Sequence, residues 1–404
     1  MCDFGRRIMI LGGSPPNQRM RANALLHGFY VIACVPLGCG KDTTDADIVY
    51  EANPTEFEKI LKIAQKEKID GIASNRDDYM KATAYVSEKM GLMGNSVDSV
   101  DKLQNKYRFR MLQKECGVYC PDFELLKSND DIFEKIKKFS YPLIMKPCES
   151  AGSRGVKRFD AFSRDEILNN YETCRNFSRN QEVMIEGYVS RGLTNLECDI
   201  FVHEGKILYI GYETNICAPE KPMQPRGGMF PADVSVEQKA KFESAVSKII
   251  EKSGIRHGMY NIEALFTEKG EVFIVEINAR MAGATVPEVI KRYCGIDVYY
   301  MLISTSVGDD TYFDEICVSE FKENFVTSFE LFPWEDGIFS GVYIADEIKK
   351  YVYDTKIWGE IGKTVSKTSN SSNSLGKVYL EYPTRKEQLE TLLMLDKYIY
   401  PILK

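Results

Sequence analysis

Residues 258–283 constrain the fold of this chain more than any other stretch. Two runs rich in strand formers, MYNIEALF and EVFIVEINA, flank a turn at Glu268 to Gly270, a pattern typical of a β-hairpin. Glu276 and Asn278 are two residues apart on the second strand. Because side chains alternate along a strand, both are predicted to lie on one face of the sheet.

Oxygen ligands on this hairpin indicate a divalent metal ion. Glu263 on the first strand joins Glu276 and Asn278 on the second, and proteins bind Mg²⁺ or Mn²⁺ through such donors together with phosphate and water. Arg280 follows on the same face, where a cation beside a metal is stable when anionic phosphate lies between them. The hairpin therefore predicts phosphoryl transfer, although an ordinary hairpin with a solvated acidic edge would carry the same residues.

Size and composition narrow the class of protein. A chain of 404 residues with 44% hydrophobic and 27% charged residues is globular and long enough for two or three domains. Its net charge of -7 gives no basic excess for a nucleic-acid partner. No apolar run is long enough for a signal peptide or a membrane span, so we expect a cytoplasmic protein without a membrane partner. The eleven cysteines lack CxxC pairs, which favours reduced thiols.

Residues 6–98 alternate between apolar strands and amphipathic stretches, a pattern that predicts a parallel sheet covered by helices. Gly12 and Gly13 follow the first strand but lack the GxGxxG spacing, which argues against a nicotinamide cofactor. The strand tips at Gly12–Gln18 and Ser74–Asp77 are candidates for a substrate pocket, because open α/β sheets bind ligands at these ends. They fit connecting turns equally well.

Two lysines follow in different settings. Lys106 lies within a predicted helix that begins near Asp98 or Ser99 and ends at Gly117, where a solvated face is the default interpretation. A short β-run then delivers Lys146.

The loop after Lys146 is rich in small residues. Ser150, Gly152, Ser153 and Gly155 would let backbone N–H groups approach an anion closely. We expect a flexible flap over a polyphosphate, with a plain Gly/Ser turn as the alternative. The order of lysine and glycines excludes the P-loop pattern.

A nucleotide base and sugar have their own candidate residues. An apolar strand runs into Glu186 and Tyr188, and a strand end with free backbone groups can pair with an adenine edge. The next strand bears Glu197, a candidate acceptor for ribose hydroxyls, or else an edge-strand charge. Residues 215–233 are predicted to be an irregular loop because of their Pro and Gly content, with Arg226 as a clamp for a carboxylate or phosphate.

Taken together, this order of elements resembles the ATP-grasp superfamily over essentially the whole chain. Within it the chain is similar to carboxylate-amine ligases related to L-amino acid ligases, glycinamide ribonucleotide synthetase and the carbamoyl phosphate synthetase large chain. The resemblance implies an α/β chain, α+β in the nucleotide domain, with an N-terminal parallel-sheet domain at 1–98. It implies an ATP-grasp domain at 99–308 with a flexible lid at about 118–185, and a strand-rich subdomain at 309–404.

The resemblance also implies a role for each candidate residue. Lys106 and Lys146 would hold the α- and β-phosphates, and the flap from Ser150 to Gly155 would cover the β- and γ-phosphates. Glu186, Tyr188 and Val189 would form the hinge that meets the adenine, and Glu197 would be the acid that binds the ribose. Glu263, Glu276 and Asn278 would be ligands of Mg²⁺ or Mn²⁺. Arg280 would contact the γ-phosphoryl group and the acyl phosphate, and Arg226 and Gly283 would contact the substrate.

The implied reaction joins a small carboxylate to an amine. ATP phosphorylates the carboxylate, and the amine displaces phosphate from the acyl phosphate to give an amide and ADP. A purine-pathway ligase, a bicarbonate-phosphorylating carboxylase and a catalytically idle ATP-binding protein are the alternatives. The sequence leaves open the identity of the acid and amine, the pathway, the role of the last subdomain, and whether the chain forms a homodimer.

Overall fold

The computed structural model describes residues 5–127, 132–150, 152, 154–190, 194–218, 221–283, 285–319, 323–368 and 373–404. Its helices are α1 (Pro15–Leu26), α2 (Phe57–Glu67), α3 (Met80–Met90), α4 (Val97–Gln104), α5 (Lys106–Glu115), α6 (Ile132–Ile136), α7 (Arg164–Phe177), α8 (Val236–Ser253), α9 (Val286–Cys294), α10 (Val298–Ser306), α11 (Thr311–Val318), α12 (Asp346–Lys349), α13 (Arg385–Leu392) and α14 (Leu395–Tyr398). Within these described ranges, no helix combines the length and apolarity that a membrane span requires.

Nineteen strands are present in the described residues. They are β1 (Arg7–Leu11), β2 (Tyr30–Val35), β3 (Ile48–Glu51), β4 (Gly71–Ser74), β5 (Phe123–Leu126), β6 (Leu143–Pro147), β7 (Lys157–Phe159), β8 (Val183–Gly187), β9 (Thr194–His203), β10 (Lys206–Ala218), β11 (Lys221–Phe230), β12 (His257–Phe266), β13 (Val272–Asn278), β14 (Phe325–Glu330), β15 (Gly337–Ile344), β16 (Val352–Ile357), β17 (Thr364–Val365), β18 (Gly376–Tyr382) and β19 (Ile399–Leu403).

The N-terminal sheet confirms the predicted parallel arrangement. Its strands run in the order β3-β2-β1-β4, and all three pairings are parallel. Ile8 to Leu11 of β1 are fully buried because α1 covers one face and α2 and α3 cover the other. The carboxyl ends of β1 and β4 therefore open at one edge of the sheet, where ligand-binding residues of such sheets lie.

The prediction of one helix from Asp98 or Ser99 to Gly117 is wrong, because this segment forms two helices. Two helices, α4 and α5, meet at Asn105, whose extended backbone ends the first helix. The Asn105 side chain accepts hydrogen bonds from the backbone N–H groups of Tyr107 and Arg108, at 3.1 Å each, and so caps α5. Lys106 consequently occupies the first turn of a helix rather than the middle of one.

A small antiparallel sheet carries the second lysine. Its strand order is β5-β8-β6-β7, with α7 packed against β6 and β8. Buried Leu143, Ile167 and Ile185 form part of its separate core. The strands span residues 123–187, which overlaps the predicted lid at about 118–185; that lid stays a prediction.

The largest sheet has eight strands in the order β13-β12-β9-β10-β11-β14-β18-β16. It contains the predicted hairpin, since β12 and β13 pair in antiparallel fashion around the Gly270 turn. Helix α8 covers one face with Phe242, Val246 and Ile249, and begins with a capping box between Ser235 and Gln238. The opposite face packs on α9, α10 and the N-terminal sheet at one end and is polar at the other.

The prediction that residues 215–233 form an irregular loop is wrong. Much of this segment lies in β10 and β11, which pair with each other, and Gly227 to Phe230 also pair with β14. The pairing register shifts twice between Ile216 and Ala218, and such bulges accommodate prolines in a strand. Pro222 and Pro225 therefore do not break the strand, because bulged pairing replaces the ladder that they interrupt.

The C-terminal strands divide between two sheets. Strands β14, β18 and β16 extend the eight-stranded sheet, whereas β15 pairs with β17 and β19 in a separate three-stranded sheet. The large sheet therefore crosses the predicted boundary between 99–308 and 309–404, and the division into three domains stays a prediction.

Two histidines form a buried contact that predicts a pH dependence of stability. His257 begins β12 and lies opposite His203 of β9, with their Nδ1 atoms 3.3 Å apart, and its Nε2 is 3.3 Å from Ser306 Oγ. Burial, reinforced by the neighbouring His203, lowers the pKa of His257 to about 3. The folded protein therefore binds fewer protons at this position than the unfolded chain between that value and about pH 6.5.

We expect the free energy of unfolding to fall as the pH is lowered from about 6.5, by at most about 1.4 kcal/mol per pH unit from this residue. Urea unfolding at several pH values should show a shallower fall for His257→Gln, which does not titrate. His27→Gln, at an exposed position, should retain the wild-type slope. Equal slopes in all three proteins would contradict the assignment.

Candidate active site

A row of four glutamates crosses four neighbouring strands of the large sheet. Glu276 of β13 pairs with Glu263 of β12, which pairs with Glu197 of β9, which pairs with Glu213 of β10. Paired residues point to the same face, and adjacent strands are about 4.8 Å apart. Like charges at this spacing repel one another, so neighbouring cations or bound protons must neutralise part of the row.

The β13 end of the row already has a cation beside it. Lys106 Nζ lies 3.2 Å from Glu276 Oε2, and Asn278 Nδ2 donates to Glu276 Oε1 at 3.2 Å. Burial of Glu276 opposes ionisation, but the charge and hydrogen bond of Lys106, with the charge of Lys146 and the Asn278 contact, hold its pKa at about 2. Glu276 is therefore a carboxylate at neutral pH.

These side chains fit a divalent metal ion that also binds phosphate. Glu263 and Glu276 face each other across the two strands, and Asn278 follows on the same face. Among the described residues, no three His, Cys, Asp or Glu side chains converge into a complete metal cage. Two carboxylates with one amide suit Mg²⁺ or Mn²⁺, which take further ligands from phosphate and water.

Lys146 belongs to a buried ionic triad with Glu186 and Arg110. Lys146 Nζ and Arg110 Nε contact separate oxygens of Glu186, the latter at 2.8 Å. Burial, only partly offset by Glu186, lowers the pKa of Lys146 to about 8, while Arg110 and Lys146 overcome burial and lower the pKa of Glu186 to about 2. The Glu186 carboxylate is thus bound by Lys146 and Arg110 and holds the Lys146 ammonium group in place.

Sequence reasoning missed Arg110. It follows Lys106 by one helical turn, so the i,i+4 spacing of two cations was the available signal. Arg110 Nη2 also donates to the Val275 carbonyl at 3.0 Å, and Gln113 Nε2 donates to the Ile274 carbonyl at 2.9 Å. Helix α5 is therefore fastened both to the small sheet and to the back of β13, which fixes the two lysines relative to the glutamate row.

Between the two sheets lies a cleft that opens to solvent. Its apolar walls include Ile144, Val156, Leu265 and Phe273. The predicted residues that line it are Lys106, Lys146, Ser150, Gly152, Glu186, Tyr188, Val189, Glu263 and Glu276. An apolar slot that ends in lysines and carboxylates has the chemistry required by a base at one end and metal-bound phosphates at the other.

The other predicted residues that the structure describes do not line this cleft. Gly155 has a φ of 76° and lies close to Pro147 and Phe177. Glu197 accepts a hydrogen bond from Asn215 Nδ2. Arg226 pairs with Asp396 of α14 and lies over Phe329, away from the metal end of the row. Gly283 has open space where a side chain would be.

Ser153 lies outside the described residues, so the predicted flap is described only in part. Ser150 begins the flap. Its carbonyl accepts from Lys106 Nζ at 3.2 Å, which joins the start of the flap to the same lysine that contacts Glu276.

Arg280 meets the N-terminal sheet at the predicted strand tip. Its Nε lies 3.3 Å from Asp77 Oδ2, and its Nη1 donates to the Met281 carbonyl at 3.0 Å. Asp77, Asn278 and Lys106 line a second, smaller cleft. The tip at Ser74–Asp77 and the hairpin therefore meet where the metal end of the row begins.

Asp199 was also missed, although its spacing of two from Glu197 places it on the same face. Its Oδ1 accepts from the Ala282 N–H at 2.9 Å, which anchors the segment after Arg280. Burial, with a further contribution from the Glu197 charge, raises the pKa of Asp199 to about 7. Only the register of β9 against β12 reveals this position, because the sequence does not show which strands become neighbours.

Comparison with known proteins supports the fold. The family model described as "ATP-grasp domain" matches residues 139–288. An uncharacterized protein of Sinorhizobium fredii is 22% identical over 85% of this chain and 69% of its own length. The carbamoyl phosphate synthase large chain of Vibrio cholerae is 23% identical over 70% of this chain, but the match spans only 27% of that protein.

Solved structures agree over the full chain. L-amino acid ligase from Bacillus licheniformis has a TM-score of 0.81 at 16% identity and covers 100% of both chains. Phosphoribosylglycinamide synthetase from Anaerococcus prevotii has a TM-score of 0.75 at 17% identity and covers 99% of this chain and 100% of its own. At such identities the likeness concerns the fold alone. Together with the match of residues 139–288 to the ATP-grasp domain model, it shows that the chain has an ATP-grasp fold.

Proposed function

We propose that this chain is an ATP-dependent carboxylate-amine ligase that forms an amide through an acyl phosphate, with release of ADP and phosphate. One observation carries the proposal: Lys106 lies between Glu276 and the flap carbonyl of Ser150, beside a cleft that also contains Lys146. This arrangement suits a metal-bound triphosphate whose base lies in the apolar slot. Small carboxylate and amine substrates, Mg²⁺ or Mn²⁺ and a cytoplasmic location belong to the same proposal.

Different residues around the cleft would bind different parts of ATP. Lys146, with its lowered pKa, is held by Glu186 and can share its charge with a phosphate. Tyr188 and Val189 line the slot and would meet an adenine edge through backbone groups. Glu197 would accept ribose hydroxyls, with Asn215 fixing its orientation.

Glu263, Glu276 and Asn278 would hold the divalent ion. When bound, the ion neutralises charge on the phosphate oxygens. Arg280 would contact the phosphoryl group as it moves to the substrate carboxylate, exchanging Asp77 for that anion. The amine then attacks the carbonyl carbon, the bond from carbon to the phosphate oxygen breaks, and the amine loses a proton. Closing the flap would keep water from the acyl phosphate.

The decisive assay is ADP release with ATP and Mg²⁺ in the presence of pooled carboxylates and amines, with products identified by mass. We expect pool-dependent ADP and a new amide mass. A requirement for bicarbonate would instead support a carboxylase, and phosphate release without any pool would contradict a ligase.

Removing Arg280 should separate binding from turnover. We expect Arg280→Ala to bind ATP within a few fold of wild type but to turn over about a hundredfold more slowly, because it lacks a charge needed in the transition state. Steady-state ADP release and equilibrium ATP binding measure the two effects. Arg256→Ala, at an exposed position just before the same hairpin, should behave as wild type. Unchanged turnover in Arg280→Ala would remove this residue from the mechanism.

Neutralising Glu276 should weaken the response to metal. We expect Glu276→Gln to require about tenfold or more Mg²⁺ for half-maximal ADP release, since metal sites of this kind depend on one or two carboxylates. Glu271→Gln lies on the same hairpin but is exposed, and should titrate as wild type. An identical Mg²⁺ titration for Glu276→Gln would show that this carboxylate is not a ligand.

A further inference from the structure

Glu213, at the β10 end of the glutamate row, has no assigned role in nucleotide or metal binding. Glu213 is only 7% exposed. In the described part of the chain, no hydrogen bond or ion pair within 4.0 Å reaches its carboxylate. A buried carboxylate without a partner is destabilising, so such a group is normally neutralised by a cation or a proton.

The charges around Glu213 leave a cation missing. Glu197 lies directly opposite on β9, and Lys377, the nearest counter-charge, is already paired with Glu330 at 2.7 Å. Burial raises the pKa of Glu213 well above its usual range, the charges of Glu197 and Asp199 add to this, and Lys377 only partly offsets it. Among the described side chains that act on Glu213, acidic groups therefore outnumber basic ones.

The neighbouring strand leaves room for the Glu213 side chain. Gly228 of β11 lies opposite Asn215, two residues beyond Glu213, and a Cβ at Gly228 would lie 1.2 Å from Glu213 Oε1. Any other residue at position 228 would displace the carboxylate. The side chain thus extends over the backbone of β11, toward β14 and β18 and away from the phosphate end of the row.

Hydroxyl groups complete this part of the sheet face. Ser328 pairs with Gly228 and with Tyr379, so all three face the same side as Glu213. The Tyr379 hydroxyl contacts Thr285 Oγ1, and Thr285 precedes α9 shortly after Arg280. The polar face beside Glu213 is therefore continuous with the segment that follows the proposed phosphoryl-transfer residue.

We propose that Glu213 is a specificity-determining residue that binds a primary ammonium group carried by a substrate of the ligase. An ammonium offers three hydrogen-bond donors and one positive charge, which match a carboxylate on a sheet face that also carries Ser328 and Tyr379. Within the described residues no third His, Cys, Asp or Glu joins this end to make a metal cage. The inference rests on the proposed function and deepens it.

Position argues that this ammonium group is recognised and does not react. Glu213 and Glu263 are two strands apart, about 10 Å across the sheet. A nitrogen must be neutral to attack an acyl phosphate, whereas a nitrogen bound by Glu213 is charged. The substrate therefore carries its ammonium group several ångströms from the carboxylate that is activated, as an amino acid can.

The test traps the acyl phosphate with hydroxylamine, so that no natural amine needs to be known. Wild-type protein is given ATP, Mg²⁺, hydroxylamine and one of two matched pools: amino acids, or the same acids without their amino groups. We expect hydroxamate from the amino-acid pool at a rate at least about tenfold higher, the discrimination typical of a buried charged hydrogen bond.

The variants then assign that preference to one residue. Glu213→Gln should raise the KM of the most active amino acid by about 10- to 100-fold, with kcat and the KM of ATP changed within about twofold. Glu204→Gln, exposed in the turn between β9 and β10, is the matched control. Because Gln has the shape of a protonated Glu, the Tm of Glu213→Gln should equal or exceed that of wild type.

Each remaining outcome is decisive. Equal use of both pools, or an unchanged amino-acid KM in Glu213→Gln, would overturn the role of Glu213 and leave the ligase standing. Absence of hydroxamate and of ADP with every pool, bicarbonate included, would overturn the proposed function and this inference together.

Discussion

The organising constraint of this protein is electrostatic: four glutamates project from adjacent strands onto one face of a sheet. Carboxylates at about 5 Å spacing destabilise the fold unless cations lie among them. Lys106 supplies one cation at Glu276. Helix α5 positions the other positive charges of the site. It carries both Lys106 and Arg110, and Arg110 holds Glu186 beside Lys146.

The charges of the four glutamates are not compensated equally along the row, so its two ends suit different ligands. At the β13 end, the charges of Lys106 and Lys146 act on ionised Glu276, an arrangement suited to a metal with phosphate. At the β10 end, the lysine that acts on Glu213 among the described residues, Lys377, is already paired with Glu330. A sheet face that binds phosphate groups at one end and an ammonium group at the other can align the carboxylate and the ammonium group of one substrate.

Local pattern predicted the elements whose sequence period matches their contacts. The hairpin with Glu263, Glu276 and Asn278, the parallel N-terminal sheet and the strands before Lys146 and Glu186 follow from period and turn residues alone. Residues 215–233 did not, because pairing with β10 and β14 overrides the preference of Pro and Gly for irregular backbone. Glycine at 228 is required by the Glu213 side chain across the strand, a reason that no local pattern contains.

Residues that depend on strand neighbours also escaped prediction. Asp199 and Glu213 join the site only because β9 lies between β10 and β12, and Asn105 divides one predicted helix into two through its cap. Charge patterns on single elements identified candidates, but the register between elements decides which of them meet.

The most direct test of the central claim follows one oxygen atom. A substrate carboxylate labelled with ¹⁸O is converted to amide, and the phosphate and nucleotide products are analysed by mass. Activation by phosphorylation at the Glu263–Glu276 end predicts one ¹⁸O in each phosphate released and none in the nucleotide. Label in AMP, or phosphate without label, would contradict an acyl phosphate and with it the assignment of Arg280.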